Sequence, residues 1–163
     1  MITDNFLSLS GAVSAAGVVT GQLLTANSTL STNTIDLGPL SIGGNQAADE
    51  GNGEPMSIVF DILVAPTVCT DLTFQLIQAD DAALTSNVQV LGQTGAFTIA
   101  QLPAGTLVPL RYPRASPLAP KRYVGARYIA TGGVIATASV FASVVKTVQD
   151  VKNLYFKSGY SVT

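Results

Sequence analysis

An all-β sandwich or jelly roll, in a single domain over residues 1–163, is the fold class this sequence predicts. Three observations predict it. Apolar residues recur at every second position in several segments, the period of a strand with one buried face. Gly, Pro, Asn and Asp interrupt the chain at short intervals, as in domains built from many short strands and tight turns. Helical periodicity is scarce. A chain of 163 residues buries roughly 70% of the surface exposed when unfolded, so one core is sufficient.

Taken in order, residues 1–10 read as an N-terminal arm. The Ala-rich piece 12–19 is one of two places where a short helix is expected. Strands are expected at 22–29 and 34–37, followed by breakers at Gly43-Gly44 and across 49–55. In the segment 56–64, Met56, Ile58, Phe60, Ile62 and Val64 share one face and Ser57 and Asp61 the other. In 72–76, Leu72, Phe74 and Leu76 point inward, with Thr73 and Gln75 outward. Further strands are expected at 88–91, 96–99, 106–112, 122–130 and 134–144. The proline-rich stretch 113–120 reads as a surface loop. In 144–154, Val144, Val148 and Val151 have helical spacing and Lys146 precedes Asp150 by four residues, so the segment is a helix or part of an extended C-terminal arm over 146–163.

Charge is distributed unevenly. Residues 1–110 carry nine acids and no base, whereas residues 111–163 carry eight bases and one acid, although the whole chain is only −2. Such asymmetry points to an interaction protein, because opposed charges steer and register partners. Only 11% of residues are charged, which suits a surface held in contact with others.

Zero His and a single cysteine, Cys69, argue against most zinc and transition-metal sites and against Ser-His and Cys-His nucleophile pairs. No cofactor is expected. The run Asp49-Glu50-Gly51-Asn52-Gly53-Glu54 has oxygen ligands but not the spacing of an EF-hand, and reads as a solvated turn. Asp80-Asp81 with Asp61 or Asp71 could supply two carboxylates for glycan cleavage, a reading weakened by the absence of Trp for sugar stacking. Arg111, Arg114, Lys121, Arg122 and Arg127 alternate with Tyr112, Tyr123 and Tyr128, but the overall acidity argues against direct nucleic-acid binding. The uncharged stretch 128–145 is long enough to test as a membrane span. Gly132-Gly133 and polar residues at alternate positions favour a strand, and no membrane association is expected. The N-terminus shows no targeting segment.

Several pieces, in order along the chain, resemble the cement, or decoration, proteins of tailed bacteriophages, of the Bordetella-phage type. They are Met1-Ile2-Thr3-Asp4, the run 31–38 (STNTIDLG), the run 51–58 (GNGEPMSI), the run 122–128 (RYVGARY), and a tail with Gln149-Asp150, Tyr155 and Ser158-Gly159-Tyr160. The resemblance implies a jelly-roll-like fold and a non-enzymatic role on the outside of the virion. It also implies a homo-oligomer, dimer favoured over trimer, bridging adjacent copies of the phage major capsid protein. Expected contact residues are Met1, Ile2, Phe6, Asp36, Asp49, Glu50, Glu54, Arg111, Arg114, Lys121, Arg122, Lys152, Tyr155, Lys157 and Tyr160. Two other readings are a glycan-binding or glycan-hydrolysing sandwich and a fibre or pilus subunit completed by a neighbour's arm.

Overall fold

The computed structural model describes residues 7–38, 56–113 and 118–146. Their strands are, in chain order, β1 (Ser8–Ser10), β2 (Ala12–Val13), β3 (Val19–Thr20), β4 (Gln22–Leu23), β5 (Ser28–Leu30), β6 (Ile35–Asp36), β7 (Ser57–Val64), β8 (Asp71–Ala79), β9 (Gln89–Gln93), β10 (Phe97–Thr98), β11 (Leu107–Arg111), β12 (Tyr123–Thr131) and β13 (Ser139–Val145). All the pairings are antiparallel. One sheet runs β1-β13-β7-β11, with β4 also on β13; the other runs β10-β8-β12-β5, with β6 on β12 and β9 on β8. The all-β sandwich expected from the alternation is the observed fold.

The alternation explains the layering. Ile58, Phe60 and Ile62 of β7 and Leu72, Phe74 and Leu76 of β8 are each fully buried and share one core with Val124, Ala126 and Tyr128 of β12. The rings of Phe60, Phe74 and Tyr128 interlock, with centroids 4.9 Å apart for the two phenylalanines and 5.9 Å from each to the tyrosine. Edge-to-face contact of this kind adds to what area burial contributes. The Tyr128 hydroxyl donates to Ser10 Oγ at 2.6 Å, so the polar tip of a buried ring is satisfied.

Several expected elements are shifted, each for a physical reason. The Ala-rich piece 12–19 is a hairpin, β2 against β3, not a helix. Ser14 closes it: its carbonyl accepts from Gly17 N at 2.8 Å, and its Oγ accepts from Val18 N at 3.1 Å. Gly17 supplies the left-handed φ of +78° that the turn requires. The expected strand 22–29 is two strands, because the chain leaves β13 at Leu23 and joins β12 at Ser28, crossing between sheets. The apolar segment 134–144 is strand only from Ser139, since residues 132–138 form a connection. A 3-10 turn at Ile99–Gln101 follows β10, and β8 continues to Ala79. Ser8–Ser10, at the inner end of the segment read as an arm, forms β1 on β13. Strand β13 extends to Val145; the rest of 144–154 lies outside the described residues apart from Lys146.

The outward face of the second sheet carries its own small core of Ile77, Ala79 and Leu84. The connection 80–88 folds back to deliver Leu84, held by Asp81, whose carboxylate accepts from Thr85 N, Thr85 Oγ1 and Ser86 N at 2.7–2.9 Å. Gly125 makes room for it, because a Cβ there would lie 2.3 Å from Leu84 Cδ1 and 2.8 Å from Ser31 Oγ. Gln75 and Gln78, of which Gln75 was expected outward, are nearly buried but bonded. Gln75 donates to Gln93 and accepts from Arg127 Nε, and Gln78 donates to Gln89 and Ala119.

Among the described residues strand β11 pairs with β7 alone and forms an edge. Tyr112 N donates to Met56 O, so alternate residues 108 and 110 face β7 and Pro109 falls on the free side, where its missing N–H removes a donor.

Candidate functional site

Four connections gather at one end of the sandwich. They are residues 24–27, 65–70, 99–106 and 132–138, and none contains a charged side chain. Backbone bonds join them to one another and to the strand ends: Leu24 N to Ala138 O at 3.0 Å, Thr67 N to Thr137 O at 3.0 Å, Ala136 N to Thr67 O at 3.1 Å, and Ile99 N to Thr70 O at 3.3 Å. The Thr67 and Thr137 hydroxyls lie 2.8 Å apart. This end is also apolar at its surface. Leu23 is 68% exposed, Val64 48%, Val68 67% and Val134 51%, and Leu23 and Val64 flank the same residue, Ser139, from either side. Val68 combines that exposure with a φ of +78°, rare for a β-branched residue and strained.

The strand ends away from these connections are charged. Arg122 clasps Asp36 in a bidentate pair, Nε to Oδ1 at 2.7 Å and Nη2 to Oδ2 at 2.8 Å. The pair holds the Asp36 carboxyl down at about 2, helped by an N–H bond from Gly38. The Arg122 guanidinium also lies 5.0 Å from the ring centroid of Tyr123. Lys121 Nζ meets Asp80 Oδ1 at 2.6 Å, and Asn87 donates to the other Asp80 oxygen at 2.7 Å. Both ion pairs are at the surface and stabilise the fold little. They do fix which strands meet: acids from the first part of the chain are paired with bases from the last part, within one molecule.

Of the expected contact residues, Asp36, Lys121 and Arg122 are thus brought together and bonded. Arg111 ends β11, exposed, opposite Ser57. Met1, Ile2, Phe6, Asp49, Glu50, Glu54, Arg114, Lys152, Tyr155, Lys157 and Tyr160 lie outside the described residues. Sequence reasoning missed the apolar end. Its signal was the absence of charge from four separate turns, which becomes a surface only when the turns are gathered.

The carboxylates considered for glycan cleavage do not converge. Asp71 and Ala79 stand at opposite ends of β8, so Asp71 and Asp80 are separated by roughly 30 Å at strand rise. Asp61 lies on the other sheet, and Asp80 and Asp81 are occupied by Lys121, Asn87, Thr85 and Ser86. Cys69 is buried, and burial pushes its thiol up, away from reactivity. Among the described residues no group of three or more His, Cys, Asp or Glu could hold a metal ion, and no helix is long and apolar enough to cross a membrane.

Residues 18–145, from β3 through β13, match the family model described as Bbp16. No curated protein matches the chain.

Proposed function

The chain belongs to the Bbp16 family, a Bordetella phage protein family, and from that membership we propose that it is a capsid cement protein. In this reading it is a non-enzymatic structural component that sits on the outside of the phage head and bridges adjacent major capsid subunits. The family match from β3 through β13 carries the reading. The described surfaces support it: a two-sheet sandwich, carboxylates spread over both sheets rather than gathered across a cleft, and one end whose four connections carry no charge, Asp71 at the start of β8 being the acid that borders them.

The protein acts as a homo-oligomer, a dimer rather than a trimer. Bridging then works through avidity, because a second contact made by an already tethered molecule benefits from a high effective concentration. We assign the end that carries these four connections, with Leu23, Val64, Val68 and Val134, to the contact with the shell, where exposed apolar groups supply affinity. Arg111 and the charged residues outside the described segments serve as a rim that sets encounter rate and register.

The test is reconstitution. Heads prepared without this protein release their DNA at a lower temperature than complete heads, and adding the purified protein back restores the difference. Val68→Lys and Val134→Lys, at exposed positions, lower head binding without lowering the melting temperature of the free protein. Heads equally robust with and without the protein would end the cement reading.

A further inference from the structure

The five strands of the first sheet, β1, β4, β7, β11 and β13, contain only two charged residues, Asp61 and Arg111. Asp61 lies on the outward face of β7, since Phe60 and Ile62 on either side of it are fully buried in the core. Its cross-strand neighbours are Leu107 on β11 and Phe141 on β13, and the same face continues through Val59 and Leu63. The carboxylate therefore stands among apolar side chains and makes no hydrogen bond or ion pair with any described residue. Arg111 shares the face but stands four positions beyond Leu107, roughly 13 Å along the ladder, too far for contact.

A carboxylate placed this way costs the fold stability and returns none to the isolated molecule. Burial pushes its carboxyl above the ordinary range. The site is approached from the β11 side, where Asp61 and Leu107 are half-buried and Pro109 is exposed, whereas Val59 and Phe141 on the same face are buried in the free molecule. It also adjoins the end that carries the four uncharged connections, three residues before the exposed Val64. An uncompensated acid ringed by apolar groups is the complement of a cationic side chain rising from an apolar surface, a pairing that gains strength when water is excluded around it.

We propose that Asp61 receives a Lys or Arg side chain of the capsid shell, so that the accessible strip of the first sheet's outward face at Asp61, Leu107 and Pro109 is a specific docking surface. This rests on the cement reading and names the chemistry of the contact. The cation completes an ion pair with a carboxylate that has no partner among the described residues, while Leu107 and Pro109 exclude water around it.

Heads lacking the protein are titrated with wild type, Asp61→Asn and Asp61→Lys, and binding is read by co-sedimentation; the melting temperature of each free protein is measured in parallel. Asp61→Asn is expected to weaken binding by about 10-fold or more while its melting temperature stays level or rises, and Asp61→Lys to abolish binding. A merely structural Asp61 would give a lowered melting temperature and unchanged affinity for the folded fraction, and that result overturns the proposal. Wild-type binding with Asp61→Asn equal to it also overturns the proposal but leaves the cement reading standing. Failure of wild type to bind heads removes both.

Discussion

Arg122 and Asp36 are 86 positions apart in sequence, yet form a two-bond pair at 2.7 and 2.8 Å, next to the ladder in which Tyr123 faces Asp36. The pair fastens the short strand β6 to the long strand β12 and joins the acid-rich and base-rich parts of the chain inside one molecule. With Lys121 and Asp80 beside it, the charge division visible in the sequence becomes a feature of one end of the sandwich.

The first prediction concerns acid. Asp36 is held at about 2 against an ordinary value of 3.8, so its contribution to stability is complete above about pH 4 and fades as pH falls toward 2. Asp36→Asn should therefore show a shallower loss of melting temperature between pH 4 and pH 2 than wild type. Asp61 has the opposite sign, because burial raises its carboxyl and protonation relieves the folded state. Asp61→Asn should lose melting temperature more steeply than wild type as the solution is acidified, when both are followed by circular dichroism.

The keyhole at Gly125 gives a second prediction. Gly125→Ala places a methyl group 2.3 Å from Leu84 Cδ1 and should cost about 1–3 kcal/mol. Leu84→Ala empties a buried site and should cost about 2–5 kcal/mol. Because the alanine at 125 clashes chiefly with the leucine, the double variant should be more stable than the sum of the two losses predicts, as measured by urea denaturation.

Tyr128→Phe keeps the ring cluster but removes the hydroxyl that bonds Ser10 Oγ at 2.6 Å. Ser10 is fully buried, so its own hydroxyl loses a partner and the variant should be destabilised by about 1–3 kcal/mol. Adding Ser10→Ala to it should recover part of that loss. Burial holds the Tyr128 phenol well above its usual range, so alkaline absorbance titration should show this tyrosine ionising only as the protein unfolds.

Val68 supports a fourth prediction. A β-branched side chain at φ +78° and 67% exposed carries strain with little packing in return. Val68→Asn, which tolerates the left-handed region, should raise stability by about 1 kcal/mol. Under the cement reading the same change should weaken head binding, giving opposite signs in chemical denaturation and co-sedimentation.

The parts of the fold legible in sequence are those governed by alternation. Strands β7, β11 and β12 match their expected spans to within a residue or two because one face of each is buried and the period is strict. The pattern of 22–29 is that of one strand, because its composition says nothing about Leu24 turning into the core while the chain passes between sheets. Residues 134–138 have the look of a strand because Val134 and Ile135 are apolar; one is 51% exposed and the other is buried at the tip. The hairpin at 12–20 was obscured by alanine, whose helical preference yields to the Ser14 and Gly17 turn. The charged members of the candidate site were legible as types, but their pairing depends on contacts across 86 and 41 positions, which no local pattern encodes. Alternation marks Asp61 as an outward residue of its strand; its isolation among apolar neighbours is set by Leu107 and Phe141, which join it only through the register.

Pro109, on the edge that β11 forms among the described residues, bears on crowding. Under the cement reading, a head coated with many copies would bring identical sheet edges close together at concentrations that favour strand-to-strand fusion. A proline at the middle of the edge interrupts the row of donors such fusion needs, so neighbouring copies cannot zip into ribbons along it. On that reading, a coat of this protein would be kept as countable, separable units, each able to occupy its own place on the curved surface.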